Sequence, residues 1–214
     1  RIFAYNWNGN FLHKINGTDA WTPMTTNFQI KGIRTVFETA GGNLFIGCEN
    51  GLFKSTNNGK TWKQVVPGGW AMKLSESNGV LMAASQGGII SSTDDGENWD
   101  CVLYEGGVGI DVEPINGGFA AITYNTTSEI RRVRTTYDGG KTWQAIDAGL
   151  KGDQRTASIV QLGENFFCGH PDGIFRSSDK GKTWKLIRSS VDNKVFNLFV
   201  SGNIIYAIPR SGGC

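Results

Sequence analysis

Tryptophan recurs at nearly equal intervals along the chain, and this repeat restricts the possible folds more than any other feature. Five similar segments run to Trp21, Trp62, Trp99, Trp143 and Trp184, which are separated by 41, 37, 44 and 41 residues. A period near 40 residues with short strands is typical of a propeller or a solenoid. The repeat is therefore the starting point for predicting the fold.

Within each repeat the hydrophobic pattern has the period of strands. Residues 34–55, RTVFETAGGNLFIGCENGLFKS, alternate polar with apolar side chains and break at Gly-Gly-Asn and at Glu-Asn-Gly. The 30 glycines are far more than the average usage of about 7% would give, which indicates many tight turns. We find no helical stripe of useful length. Each repeat thus predicts four antiparallel strands, which is one propeller blade.

The two ends of the chain carry complementary parts of a blade. The N-terminal segment lacks an inner strand, and the C-terminal segment KVFNLFVSGNIIYAIPRSGGC supplies an inner and a second strand. We therefore predict one all-β propeller domain over residues 1–214, closed by strands from both termini, because closure removes exposed edges. The predicted blades are residues 1–24 with 194–214, then 30–66, 69–104, 107–147 and 154–188. Because IFAYNW and IIYAIP both look like second strands, a six-bladed ring with two partial blades, or a longer parent protein, stays open as an alternative.

A repeated octet with the pattern S/T-x-D-x-G-x-T-W ends at four of the tryptophans. Its acid or amide can accept backbone N–H bonds in a tight turn, its glycine can supply a positive φ, and its tryptophan can bury about 200 Å² between blades. The octets therefore predict structural turns. Their key residues are Asn57, Gly59 and Trp62; Asp94, Gly96 and Trp99; Asp138, Gly140 and Trp143; and Asp179, Gly181 and Trp184.

Three octets contain Gly-Lys-Thr, which also ends the phosphate-binding P-loop. A P-loop needs a glycine five residues before the glycine of this triplet, and those positions hold Lys54, Thr135 and Arg176. An EF-hand calcium loop is excluded as well, because DDGENW lacks the alternating acids before the glycine and the closing glutamate.

The octet resembles the Asp-box of the BNR repeat family, over nearly the whole chain. That family includes sialidases, sortilin-type receptors, some xyloglucan hydrolases and photosystem II assembly and stability factors. The resemblance implies a propeller whose Asp-boxes connect third and fourth strands, on the face away from the usual ligand site. The copies depart from the pattern at Asn57 and at Asn98, where Asp and Thr are expected.

The sequence does not predict catalytic residues. Sialidases resemble one another in a Phe/Tyr-Arg-Ile-Pro motif, and neither Arg34 in KGIRTVFE nor Arg210 in AIPRSGG matches it. Inner-strand acids such as Asp111 and Glu113 could pair as in other glycosidases, but every blade carries acids. With two histidines and no CxxC pair, we expect no metal and no cofactor.

Binding at the mouth of the ring is the favoured function. The loops from second to third strands, and those leading into inner strands, gather at one mouth of a propeller. An exposed aromatic side chain beside amides and charges there suits a sugar or a peptide, and residues 124–134 form the longest insertion. The predicted ligand-binding residues are Trp7, Glu49, Trp70, Tyr124, Arg155 and His170.

The net charge and the hydropathy pattern restrict the kinds of partner that we expect. A net charge of +2 without a long basic run gives no footprint for nucleic acid, and no apolar run approaches the about 18 residues of a membrane span. We expect a secreted, periplasmic or cell-surface protein that binds a glycan or a protein, with its oligomeric state left open. The alternatives are a glycoside hydrolase of sialidase or xyloglucanase type, whole or as a fragment, and a photosystem-assembly-factor-like chaperone. Cys48, Cys101 and Cys168 are predicted core residues, and Cys214 a terminal thiol.

Overall fold

The structure, a computed structural model, describes residues 1–6, 8–15 and 17–211. All regular structure in this part of the chain is β-sheet, in agreement with the predicted all-β class. Across these ranges there is consequently no helix of the length and apolarity needed to cross a membrane.

The described strands form six antiparallel sheets, named I to VI in chain order, and neighbouring strands in a sheet are consecutive in sequence. Sheet I contains β1 (Ile2–Tyr5), β2 (Phe11–Lys14) and β3 (Thr22–Met24). Sheet II contains β4 (Thr35–Glu38), β5 (Leu44–Cys48), β6 (Gly51–Ser55) and β7 (Lys63–Pro67). Sheet III contains β8 (Ala71–Ser77), β9 (Val80–Ser85), β10 (Gly88–Ser92) and β11 (Asp100–Leu103). Sheet IV contains β12 (Gly107–Ile115), β13 (Gly118–Asn125), β14 (Ile130–Thr136) and β15 (Gln144–Ala145). Sheet V contains β16 (Ser158–Leu162), β17 (Asn165–His170), β18 (Gly173–Ser177) and β19 (Lys185–Ser189), and sheet VI contains β20 (Val195–Ser201) and β21 (Ile204–Arg210).

The hydrophobic core lies between successive sheets. Each of five apolar clusters among the described residues joins one sheet to the next in the chain, from I and II through to V and VI. The octet tryptophans help to fill these layers: Trp62 meets Phe11 of sheet I, and Trp99 meets Phe45 of sheet II, each edge to face with ring centroids 6.2 Å apart. Packing therefore runs from neighbour to neighbour along the array.

The octet turns share the hydrogen bonds made by their Ser/Thr and Asp/Asn side chains, and in three of them the indole N–H donates to the octet glycine, whereas Trp184 donates to the Ile146 carbonyl at 2.6 Å. In the third octet the Thr136 hydroxyl accepts the Gly140 N–H at 2.9 Å, and Asp138 Oδ1 accepts the Thr142 N–H at 2.9 Å. The Trp143 indole N–H donates to the Gly140 carbonyl at 3.1 Å, and Gly140 has a φ of 94°. In the first octet Asn57 takes the place of the aspartate, with Oδ1 accepting the Thr61 N–H at 2.9 Å. The amide therefore satisfies the same backbone group as the acid.

The terminal strands lie in two separate sheets, and among the described residues no strand pairing joins sheet I to sheet VI as the predicted composite blade requires. β20 pairs with β21 along its full length, from Val195 opposite Arg210 to Ser201 opposite Ile204. The edge of the inner strand β20 that β1 would need is thus already occupied by β21. The total number of blades and the closure of the ring stay predictions.

Two of the three described cysteines are core residues as expected, because Cys48 and Cys168 are buried. The expectation was wrong for Cys101, which is exposed on β11, the outer strand of sheet III. Cys214 lies outside the described residues.

Candidate functional site

A pocket of about 550 Å³ opens at the end of the sheets where the inner strands β4, β8, β12 and β16 begin. Its volume is within the range of about 300–1,000 Å³ that is usual for small-ligand sites. The side chains that bear on its chemistry are Arg34, Trp70, Tyr124, Thr126, Arg131 and Arg155, and these six are called the mouth residues.

Trp70 is held at the pocket by the turn that precedes β8. Gly68 and Gly69 adopt φ values of 69° and 67°, which only glycine adopts without strain, and the Trp70 carbonyl accepts the Gln86 N–H at 2.9 Å. The guanidinium carbon of Arg34 lies 5.3 Å from the centroid of the Trp70 ring. This is within the range of a cation–π contact, so the cation and the ring position each other.

Two further arginines, Arg131 and Arg155, line the same pocket as Arg34. Arg131 is buried, and its Nη1 donates to the Thr156 carbonyl at 2.8 Å. Arg155 precedes β16, and its Nε lies 3.5 Å from Asp153 Oδ1. Among the described residues that line the pocket, none is an aspartate or a glutamate, although Asp153 lies beside Arg155. Three guanidinium groups thus line this pocket, and their charge favours an anionic group.

The end of β13 and the loop that follows it also line the pocket. Tyr124 and Thr126 flank Asn125, whose Oδ1 accepts the N–H groups of Thr127 at 2.9 Å and Ser128 at 2.8 Å. This loop belongs to the longest sequence insertion, and these bonds give it a defined shape. Tyr124 thus faces the same pocket as Trp70.

A second cavity of about 430 Å³ shares Arg34, Met72, Ile110 and Arg131 with the first, and it is also lined by Lys73 and Asp111 of an ion-pair cluster. Lys73 Nζ lies 3.0 Å from Asp111 Oδ1 and also contacts Glu113. Burial raises the pKa of Glu113 to about 7, although Lys73 opposes the shift, and the charge of Asp111 adds to it. Burial lowers the pKa of Lys73, but the two carboxyl groups outweigh it and the net shift is upward. The cluster therefore keeps its ammonium and takes up one proton near neutral pH.

The structure brings three of the six predicted ligand-binding residues together, because Trp70, Tyr124 and Arg155 all line the pocket. Glu49 is exposed but does not line it, and Trp7 lies outside the described residues. His170 is buried and away from the pocket. Its Nδ1 lies 3.2 Å from the Asp172 N–H nitrogen and its Nε2 lies 2.8 Å from the Lys151 carbonyl oxygen, so both ring nitrogens are engaged by the backbone and the residue has a structural role.

Sequence reasoning missed Arg131 as a mouth residue because Arg131, Arg132 and Arg134 stand close together in the sequence and are not distinguished by residue type. The strand period of two separates them, since Arg131 faces the mouth while Arg132 Nε donates to Asp147 at 2.6 Å and Arg134 Nε to Glu105 at 2.8 Å. Within residues 1–6, 8–15 and 17–211, no group of three His, Cys, Asp or Glu side chains is placed to hold a metal ion.

No protein-family model matches the chain, and no curated protein matches it. Solved structures do match over most of its length. The extracellular domain of the putative one component system BT4673 from B. thetaiotaomicron aligns with a TM-score of 0.66 and 14% identity, over 94% of this chain and 32% of that one. The GH74 xyloglucanase from Xanthomonas campestris aligns with a TM-score of 0.64 and 14% identity, over 94% of this chain and 40% of the enzyme. YCF48 from Cyanidioschyzon merolae aligns with a TM-score of 0.57 and 14% identity, over 84% of this chain and 66% of that protein.

These similar structures are β-propellers. The fold is that of a β-propeller. At 14% identity the likeness extends to the fold alone, since the set includes both an enzyme and proteins of other kinds. The propeller described here spans about a third of the BT4673 domain.

Proposed function

We propose that this propeller is a non-catalytic binding protein that holds a carboxylate-bearing ligand, from a glycan or from a protein, at the mouth residues. The observation that supports the proposal is that Arg34, Arg131, Arg155 and Trp70 line one pocket, whose described lining residues include no aspartate or glutamate. Arginine is suited to this role because its planar donors can grip a carboxylate through two parallel bonds.

The remaining mouth residues fit the less polar part of such a ligand. Trp70 and Tyr124 offer aromatic surface, which suits a sugar ring or a peptide side chain, and Thr126 adds a hydroxyl. Apolar lining with a few convergent polar groups is the usual make-up of a ligand site.

The position of the carboxylates favours binding over glycoside hydrolysis. A glycosidase places two carboxyl groups about 5–10 Å apart across the scissile bond. The inner-strand pair Asp111 and Glu113 is engaged by Lys73, and neither residue lines the mouth pocket. These carboxyl groups are better explained as part of a buried ion-pair cluster.

Calorimetry with matched ligands tests the proposal. The probes are oligogalacturonate and sialyllactose, an acidic peptide with a free carboxyl terminus, and the neutral analogue of each. We expect one acidic probe to bind, its neutral analogue to bind at least tenfold more weakly, and Arg155→Gln to weaken the acidic probe by a similar factor.

The control variant is Arg188→Gln, which removes the same charge from exposed β19, outside the mouth. Equal binding of acidic and neutral analogues would contradict the proposal, as would the absence of binding to every probe. Binding of an acidic sugar would identify a glycan as the source of the carboxylate, and binding of the acidic peptide would identify a protein.

We also propose that the protein works outside the cytoplasm. BT4673 contributes an extracellular domain, and a further similar structure, PorZ of Porphyromonas gingivalis, is a bacterial surface component. Fractionation of the source cells with an antibody against the chain tests this location.

A further inference from the structure

The mouth residue Arg155 belongs to an irregular loop between β15 and β16. Residues 151–157 have no regular secondary structure, and Gln154 and Arg155 within them line the mouth pocket. Residues 151–156 are called the mouth loop. Because strand pairing does not fix this segment, the position of Arg155 depends on the individual contacts that the mouth loop makes.

Arg131 holds the second half of the mouth loop. Its backbone N–H donates to the Asp153 carbonyl at 3.1 Å, and its Nη1 donates to the Thr156 carbonyl at 2.8 Å. Asp153 in turn holds Arg155, because its Oδ1 accepts the Arg155 N–H at 2.8 Å and lies 3.5 Å from the Arg155 Nε. Carbonyl groups on both sides of Gln154 and Arg155 are thereby attached to β14 of sheet IV.

His170 holds the start of the mouth loop. It is the last residue of β17 in sheet V, its side chain is only 1% exposed, and its Nε2 lies 2.8 Å from the Lys151 carbonyl oxygen. A carbonyl oxygen can only accept a hydrogen bond, so this contact requires a donor at the Nε2 position. The mouth loop is therefore attached to two sheets, at Lys151 to sheet V and at Asp153 and Thr156 to sheet IV.

The His170 ring is itself held by sheet V. Its Nδ1 lies 3.2 Å from the backbone nitrogen of Asp172 in the turn after β17. The Phe175 ring packs edge to face against it, with 5.3 Å between the ring centroids and an angle of 83° between the planes. The ring cannot rotate without losing these contacts, so it presents Nε2 to the mouth loop in one orientation.

We propose that His170 is a positioning residue of the mouth site, which acts through the Lys151 carbonyl to fix the place of Arg155. His170 does not line the pocket, so it affects a ligand only through the mouth loop. Loss of its bond to Lys151 frees the first half of the mouth loop, while Arg131 still holds the second half. The inference rests on the proposed function, since it assigns a residue that shapes that binding site.

Two amide substitutions separate the contact with Lys151 from the other contacts of the ring. In His170→Gln the side-chain nitrogen reaches as far as Nε2, so a donor to the Lys151 carbonyl is kept. In His170→Asn the nitrogen reaches only as far as Nδ1, so this bond is lost. Both variants remove the ring and its packing on Phe175, which makes them a matched pair for effects on stability.

Calorimetry with the acidic probe that binds the unmodified chain measures the effect on the site. We expect His170→Asn to weaken binding about 3- to 10-fold, as the loss of one hydrogen bond predicts, and His170→Gln to weaken it less than about twofold. In a chain that already carries Arg155→Gln, His170→Asn should cause no further loss, because the two residues act in series. Asp138→Ala, which alters an octet turn outside the pocket lining, is the control and should leave binding unchanged.

Two measurements do not depend on the affinity of the variants. Hydrogen exchange in the free chain should be faster at the backbone amide of Arg155 in His170→Asn than in His170→Gln. In the unmodified chain, nitrogen NMR of the imidazoles should show a shift of the His170 Nε2 signal when the acidic probe binds, whereas the His13 signals should not move.

Equal affinity of His170→Gln and His170→Asn would overturn the inference. An equal loss from His170→Asn with and without Arg155, equal exchange at Arg155 in both variants, or a His170 signal that does not respond to the bound probe would overturn it as well. In each of these cases the unmodified chain still binds the acidic probe, so the proposed function stands. Absence of binding of every probe to the unmodified chain would instead overturn the proposed function and this inference together.

Discussion

The Arg34 guanidinium lies over the ring of Trp70, with 5.3 Å between its central carbon and the ring centroid. The two residues belong to different sheets, since Arg34 directly precedes β4 of sheet II and Trp70 directly precedes β8 of sheet III. Trp70 of sheet III therefore orients the Arg34 guanidinium of sheet II. In the proposed site Trp70 would both position this cation and contact the ligand.

Replacing Trp70 should separate these two roles. Trp70→Ala removes both the ring and the cation–π contact, worth about 0.5–2 kcal/mol, so we expect affinity for the carboxylate probe to fall about 3- to 30-fold. Trp70→Phe keeps a smaller aromatic face and should lose less than Trp70→Ala. Calorimetry checks both, and equal affinity of the unmodified chain and Trp70→Ala would remove Trp70 from the site.

The octet aspartates should tolerate asparagine better than alanine. Asp138→Asn can still accept the Thr142 N–H through its amide oxygen, as Asn57 accepts the Thr61 N–H, whereas Asp138→Ala leaves that turn without its acceptor. We expect Asp138→Ala to lower Tm by about 2–4 °C and Asp138→Asn to lower it less. Thermal unfolding followed by circular dichroism measures both, and equal losses would show that the turn does not depend on this acceptor.

The same turns should make stability sensitive to acid. The Thr142 hydroxyl and N–H hold the pKa of Asp138 at about 2, and Thr183 does the same for the pKa of Asp179. Because these folded-state values lie below the unfolded value of about 3.9, their contribution is present above pH 4 and is lost as the pH falls toward 2. Urea unfolding between pH 2 and 5 should show this loss, with a shallower slope in Asp138→Asn. An identical slope in the variant would contradict the assignment.

Gly96 and Gly79 should respond differently to the same added methyl group. Both have positive φ values, 81° and 75°, but a Cβ at Gly96 would collide with the Phe45 ring, whereas a Cβ at Gly79 meets nothing within 4 Å. Gly79→Ala should therefore cost only the backbone strain of about 1–2 kcal/mol, and Gly96→Ala about 1–3 kcal/mol more for overpacking. Chemical denaturation measures the free energy of unfolding of both variants. Equal losses would show that the Phe45 ring can move aside for the methyl group without an energetic penalty.

Glu113 should make stability fall between about pH 5 and 7. Burial raises the pKa of Glu113 to about 7, so in this range the folded chain binds a proton that the unfolded chain has released. Unfolding then becomes more favourable as pH rises, by up to about 1.4 kcal/mol for each unit of pKa shift. Glu113→Gln should flatten this part of the stability curve. An unchanged curve would mean that Lys73 keeps Glu113 ionised throughout.

The all-β class could be predicted from the sequence because the signals for it are local and repeated. Alternation along residues 34–55 and the octet turn specify hairpins through contacts only a few residues apart. The pairing of the terminal strands could not be predicted in the same way. IFAYNW and IIYAIP carry the same pattern, and only three-dimensional packing decides which of them lies beside β20.

The mouth was predictable in part for a related reason. Trp70 and Arg155 precede inner strands and Tyr124 lies near the end of β13, and the repeat places these positions at the same end of the sheets. Arg34 was weighed only against an enzyme motif that it does not match. Arg34 is oriented at the pocket by its contact with Trp70, which lies 36 positions further along the chain. The alternation of polar and apolar residues in a strand does not predict contacts at such a separation.

The mouth pocket draws its wall from four sheets, from Arg34 of sheet II to Arg155 of sheet V. Sheets II and V share no core cluster among the described residues, so their spacing is transmitted through sheets III and IV. A ligand bound to both Arg34 and Arg155 would link sheets II and V and would oppose any increase in the distance between them. We therefore expect a ligand bound at the mouth residues to reduce the local opening motions of all the connected sheets. Backbone amides in sheets far from the pocket should then exchange their hydrogens more slowly in the presence of the ligand.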